Sequence, residues 1–237
     1  MAGKSTIDAC IRSMDESQLE KCVQAVKSQV LPFANIIHVN GVIPECESLK
    51  MLIDRVSSEW MMLIDGDMIL YETATAVAQG YIDRETDPLV VEYQFGLYDT
   101  FIKRTINSCR VSKVSEIRKC EIKNWLRNDN WLVRQMENKG LKCVRLWKKH
   151  SVVIGTHFDD PDDFRIFLRH HKAGILRNKL TMPILKQLYE DTSDRRYLLA
   201  IKSMEYGLAK DKLEYPGSNN LDVDREAYEK FKCLEQS

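Results

Sequence analysis

The sequence predicts an α/β fold with a central, mostly parallel sheet flanked by helices and a C-terminal helical appendage. Three observations carry that expectation. Through the first 70 residues, apolar stretches of strand length alternate with stretches of helical spacing, the pattern of parallel crossover units. The run Trp60-Met61-Met62-Leu63-Ile64 is too short for a good helix and suits a strand buried on both faces. That run stops at Asp65-Gly66-Asp67, so two carboxylates leave the carboxyl end of a central strand, where open α/β sheets take their ligands.

The elements follow in order. Thr6 to Ile11 reads as a first strand and Arg12-Ser13-Met14-Asp15 as the loop after it, with Ser13 or Asp15 capping the next helix. In that helix Leu19, Cys22, Val23, Val26 and Val30 recur at helical spacing, and Pro32 stops it. Ile36 to Val39 is a second strand closed by Asn40-Gly41, and a helix from about Glu47 to Ser57 leads into the acid-tipped strand. Thr73 to Tyr81 reads as helix, Leu89 to Phe95 as strand, and Asp99 to Arg118 as a mixed, basic stretch. Asn128 to Lys139 is a helix ended by Gly140, followed by strands at Leu141 to Leu146 and Ser151 to His157. Asp159-Asp160-Pro161-Asp162-Asp163 then precedes a helix from Phe164 to Lys172, acids first and bases later, which suits the helix dipole. From Leu176 the pattern stays helical, with a break at Tyr215 to Asn220. The expected division is a domain over 1–175 and a helical extension over 176–237.

Composition narrows the function. Lys plus Arg number 35 and Asp plus Glu 35, so no global field recruits nucleic acid or an anionic membrane. No run of about 18 apolar residues spans a bilayer, and the N-terminal Met-Ala-Gly-Lys-Ser-Thr has no signal-type apolar core; a cytoplasmic protein is expected. Seven scattered cysteines without a Cys-x-x-Cys spacing argue against a disulfide framework or a structural zinc site. The first strand is not followed by Gly-x-Gly-x-x-Gly, and Gly3-Lys4-Ser5 has no strand before it, which sets aside a dinucleotide oxidoreductase and a P-loop nucleotidase.

Asp65 and Asp67 repel one another unless a cation lies between them, one is protonated, or water separates them. A hard divalent ion such as Mg²⁺ or Mn²⁺, shared with substrate phosphates, resolves the conflict; the alternative is a solvated Asp-Gly turn that ends a strand. Gly66, lacking a side chain, lets a phosphate or metal approach the backbone.

With these parts in order, the chain resembles the family-2 glycosyltransferases, whose fold is of the GT-A type. Ser57-Ser58-Glu59-Trp60 through Asp65-Gly66-Asp67 is similar to the family's apolar strand ending in a metal-binding Asp-x-Asp. Asn128-Asp129-Asn130-Trp131-Leu132-Val133-Arg134, continuing to Gly140, is similar to the segment carrying the catalytic base of inverting members. Gly155-Thr156-His157-Phe158, with Phe164, Arg165 and Arg169, is similar to the late His and aromatic-Arg helix of some bacterial members. The resemblance implies a nucleotide-diphosphate-sugar donor and a metal held by Asp67, Asp65 and His157. It further implies donor contacts from Asp65, Arg12, Asn40, Lys50, Arg165 and Arg169, and Asp129 as the base. Asn40-Gly41 replaces an Asp that usually helps hold the nucleotide, Asn128 replaces a Glu, and Arg134 is one place off. Trp125 and Trp131 are candidates to stack on a sugar.

The implied partners are a nucleotide-sugar donor and a saccharide or lipid-linked saccharide acceptor, with no nucleic acid. Any membrane contact would be peripheral, at the inner face. Two other classes stay open at this point. One is a phosphatase of the haloacid-dehalogenase type, with Asp159 to Asp163 supplying metal-binding acids. The other is a non-catalytic sugar- or partner-binding protein on the same fold.

Overall fold

The computed structural model describes residues 5–14, 16–123, 128–209 and 221–236. Asp15, Trp125 and the expected break at Tyr215 to Asn220 lie outside them. In chain order the elements are β1 (Ile7–Ser13), α1 (Leu19–Lys27), β2 (Ile36–Asn40), α2 (Glu45–Arg55), β3 (Trp60–Asp65), β4 (Met68–Leu70), α3 (Ala74–Arg84), β5 (Val90–Asp99), β6 (Arg104–Lys113), α4 (Val114–Ile117), α5 (Asn128–Asn138), β7 (Lys142–Arg145), α6 (Leu146–Lys149), β8 (Val153–His157), α7 (Asp163–Ile175), α8 (Thr181–Thr192), α9 (Arg195–Leu208) and α10 (Leu221–Gln236).

The strands form one sheet in the order β2-β1-β3-β6-β5-β8-β4, with β7 also pairing β5. β1 runs parallel to β2 and β3, as crossover units require, and β5 runs parallel to β7 and β8. β6 is antiparallel to both its neighbours and β4 is antiparallel to β8. The alternation of side chains across a strand sorts the core. Ile7, Ala9, Ile11, Trp60, Met62 and Ile64 join one cluster with α1 and α3, while Cys10 and Met61 join another with Leu49, Leu52 and Ile53 of α2 and Leu132 of α5.

Several expectations shift at their edges. Arg12 and Ser13 continue β1 instead of opening a loop, and α1 ends at Lys27, short of Val30. Ser13 does not cap α1: Gln18 stands at the cap position with no side-chain bond to the helix, and the Ser13 hydroxyl is used elsewhere. β6 lies within the stretch that read as mixed. Cys109 and Val111 face one core while Arg110 and Ser112 face a buried Glu92, so a strand with polar residues on a buried face has no apolar alternation to announce it. Gly140 follows α5 with φ +79°, the left-handed end expected there.

Contacts divide the chain into a unit spanning Met1–Asp159, which holds the whole sheet, and a unit spanning Asp160–Ser237. The division falls ahead of the expected 175/176 boundary because α7 packs on α9 within the second unit. The crossing is close: a Cβ on Gly174 would lie 2.2 Å from the Met204 carbonyl oxygen, and one on Gly207 2.2 Å from that of His171. Phe167 packs there against His171, Tyr206, Tyr228 and Phe231. Asp162 caps α7 by accepting from the Arg165 amide at 2.8 Å. Leu185 of α8 and Ile201 and Met204 of α9 are buried. Among the described residues no helix is long and apolar enough to cross a membrane.

Asp8, fully buried on β1, fastens the loop that leads into β3. It accepts from the amides of Ser57 and Ser58 at 2.9 and 3.0 Å, and from Ser58 Oγ and Asn35 Nδ2, both at 2.7 Å. Burial opposes its charge, but these hydrogen bonds outweigh it and hold the carboxyl below its ordinary pKa.

Two outcomes are expected. Asp8→Ala lowers stability at pH 7 by about 2–4 kcal/mol, since it leaves buried donors unpaired. Because the folded pKa is depressed, this contribution is fully present above the ordinary carboxylate range. It fades as pH falls through the folded value, so urea denaturation finds the gap between wild type and variant narrowing in acid. Gly174→Ala forces α7 and α9 apart at a cost of about 1–3 kcal/mol, read as faster hydrogen exchange in both helices.

Candidate active site

Sheet register gathers the chemistry at one edge. Arg12 on β1 stands opposite Asp65 on β3 and Val39 on β2, and Ser13 stands opposite Asn40. β8 pairs with β4 and β5 so that His157 is opposite both Met68 and Asp99. The Phe158 amide, donating to the Asp67 carbonyl at 3.3 Å, ties the end of β8 to the acid turn.

The two acids of that turn have separate partners. Asp65 Oδ1 accepts from Arg12 Nε. Asp67 faces β8: its Oδ2 lies 3.4 Å from His157 Nε2, and His157 Nδ1 lies 3.1 Å from Asp99 Oδ2. Asp99 is fully buried and also accepts from the amides of Phe101 and Ile102. A carboxylate fixed in this way orients the ring and leaves the other ring nitrogen facing outward to a ligand. Ligands about 2.1 Å from an octahedral ion sit about 3 Å apart, so Asp67 Oδ2 and His157 Nε2 fit two neighbouring positions around Mg²⁺ or Mn²⁺. Among the described residues no group of three or more His, Cys, Asp or Glu forms a fuller cage. Such an ion would therefore take its remaining ligands from substrate oxygens and water, as Mg²⁺ commonly does.

Arg12 is the second centre. Its guanidinium pairs with Asp65 and with Glu45 at the start of α2, and lies 3.7 Å from Asp129 Oδ2 on α5. Burial opposes its charge, but the carboxylates of Asp65, Glu45 and Asp129 outweigh that and hold its pKa well above the ordinary arginine value. Asp129 sits in the first turn of α5, one residue inside Asn128, and not at the cap position. Among the described residues its Oδ1 is buried without a hydrogen-bond partner, although the side chain as a whole is 32 % exposed.

Behind Asp129 lies Arg110 of β6. It donates to the Asp129 carbonyl at 2.6 Å and to Asn130 Oδ1 at 3.1 Å, and sits 3.9 Å from Glu92 Oε1. Glu92 also accepts from Gln94 Nε2 at 2.7 Å and Ser112 Oγ at 2.9 Å. Burial raises its pKa, with Arg110 opposing.

The remaining candidates fall as follows. Asn40 is exposed at the end of β2, and its Oδ1 accepts from Ser13 Oγ at 2.7 Å. Ser13 Oγ is also 2.7 Å from His38 Nε2; its single proton goes to Asn40, so the His38 nitrogen is the donor. Lys50 makes a surface pair with Glu47 at 2.7 Å. Arg165 and Arg169 belong to α7 of the second unit. Trp131 donates its Nε1 to the Glu121 carbonyl at 3.0 Å and lies under Lys123, so one face of its ring is already covered. The space beside Gly66 is not left to a ligand: a Cβ there would come within 2.6 Å of Glu16 Oε2 and 3.0 Å of Ser13 Cβ. Asp159, Asp163 and Asp160 make surface ion pairs with Lys21, Arg195 and Arg196, and Asp162 caps α7. Sequence reasoning missed Asp99, Glu45, Glu92 and Arg110. Only the unusual Glu and Gln inside the apolar run of β5 hinted at a buried polar network.

No family model matches the sequence, and no curated protein does. Solved structures do. The chain is similar to a mannosyltransferase from Pyrobaculum calidifontis solved with GDP-Man and Mn²⁺: TM-score 0.53, 9 % identity, over 99 % of this chain and 81 % of that one. It is also similar to TarS 1-349 from S. aureus, with TM-score 0.49 and 8 % identity over 85 % of this chain and 71 % of that one. Glucosyl-3-phosphoglycerate synthase from Mycobacterium tuberculosis, solved with Mn²⁺, UDP and phosphoglyceric acid, gives TM-score 0.45 and 11 % identity over 66 % and 72 %. At such identities the likeness concerns the fold, and the fold of this chain is of the GT-A type.

Proposed function

We propose that this chain is a glycosyltransferase that moves a sugar from a nucleotide-diphosphate sugar to the hydroxyl of a saccharide or lipid-linked saccharide. The observation that carries the reading is the Asp67-His157-Asp99 relay at the ligand-binding edge of the sheet. Asp67 and His157, with the ring oriented by Asp99, would serve as two ligands of a divalent ion. The mannosyltransferase that shares the fold was solved with GDP-Man and Mn²⁺, which agrees with such a donor.

Sugar transfer builds negative charge on the leaving diphosphate. Mn²⁺ or Mg²⁺ held by Asp67 and His157 would supply the charge that neutralises it. Asp65, held by Arg12, would be fixed for a contact to the donor ribose or to water. The acceptor hydroxyl loses its proton during attack, and Asp129 is the carboxylate for that task. Attack on the face opposite the leaving diphosphate, with Asp129 as base, inverts the anomeric configuration.

Asp67→Ala removes metal-dependent nucleotide-diphosphate binding while leaving the fold intact. Calorimetry with Mn²⁺ or EDTA tests this, and equal affinities in wild type and variant under both conditions would overturn it. Asp129→Asn keeps the size of the side chain. As a loss of the base it lowers turnover by roughly 10²-fold or more with donor binding retained. Near-normal turnover, or product with the donor's anomeric configuration, excludes Asp129 as the base of an inverting transfer.

A further inference from the structure

Arg110, Glu92, Ser112 and Asp129 line a cavity of about 20 Å³, whose other lining residues are apolar and include Leu49 and Leu63. That volume accommodates one water molecule, and a buried water needs two to four polar partners. The orphaned Oδ1 of Asp129 belongs to one lining residue, and the guanidinium of Arg110 and the hydroxyl of Ser112 to two others. Arg110 meanwhile holds the first turn of α5 from beneath, through the Asp129 carbonyl and the Asn130 side chain. Glu92, bound by Gln94 and Ser112, supplies the countercharge that keeps Arg110 there.

We propose that Glu92 and Arg110 are positioning residues for Asp129. They fix the start of α5, and with Ser112 they hold one water that donates to Asp129 Oδ1, so that Oδ2 alone faces the reacting hydroxyl. The inference rests on the reading of Asp129 as the base. Lysine cannot replace Arg110 here. Its single ammonium cannot reach the carbonyl, the Asn130 amide oxygen and the Glu92 side as a planar fork does.

Arg110→Lys tests this directly. The expected result is a fall in kcat of about 10²-fold, the scale of a misplaced catalytic group, with donor KM and calorimetric nucleotide affinity within about twofold of wild type. In an Asp129→Asn background the same change has no further effect on kcat, because it acts only through Asp129. An equal fall in both backgrounds overturns the proposal, and so does a loss of nucleotide affinity that matches the loss of turnover. A second variant, Glu92→Gln with Arg110→Met, removes the pair without leaving a lone buried charge and should reproduce the kcat loss. A high-resolution crystal structure of the wild type should contain a water within hydrogen-bond distance of Asp129 Oδ1 and either Arg110 or Ser112. That of Arg110→Lys should have Asp129 displaced. A wild type that binds no nucleotide diphosphate defeats the glycosyltransferase reading. The two crystal structures still decide the positioning inference, and an undisplaced Asp129 with no such water overturns it.

Discussion

The candidate site is organised around the guanidinium of Arg12. Arg12 is the point at which β1, β3, α2 and α5 meet, through Asp65, Glu45 and Asp129. Three carboxylates converging from three elements would repel one another strongly in a partly dry site. The arginine makes that convergence possible because its planar fork offers several donors in fixed directions, which a lysine ammonium does not. Removing it would leave uncompensated acids at the heart of the site, a far larger disturbance than the loss of one surface pair.

The two acids of the turn, one residue apart, have different partners. Asp65, still partly exposed, is paired with Arg12, and Asp67 lies beside His157. The turn between them is kept tight by Gly66, whose missing side chain admits Glu16 and Ser13. His157 is oriented in its turn by Asp99, which the backbone amides after β5 hold in place. The acids at this end of the sheet thus fall into two groups, Asp67 with His157 and Asp99, and Asp65 and Asp129 around Arg12.

The backing groups come from the hairpin of β5 and β6. Glu92, Gln94, Arg110 and Ser112 face the same side of the sheet, because they are paired in register as Glu92 with Ser112 and Gln94 with Arg110. A row of polar residues there costs desolvation. The network answers that cost with hydrogen bonds and reaches the start of α5, where Asp129 stands.

The sequence by itself determined the α/β class, the parallel unit of β1, β2 and β3, and the acid turn at the end of β3. All of these follow from local periodicity and from an apolar run that ends abruptly at charge. It also offered Asp67, Asp129 and His157 as candidate site residues, through a resemblance of ordered motifs. Tertiary structure alone decided that β6 is a strand, since its buried face is polar and complementary only to Glu92. It alone decided that Asp65 pairs with Arg12 while Asp67 lies beside His157, and that Asp99, Glu45 and Arg110 contact His157, Arg12 and the start of α5. The physical reason is common to these cases. Each partner is distant in the chain, and what makes it a partner is the register of non-local strands together with the cost of leaving a buried charge unmatched, neither of which has a local signature.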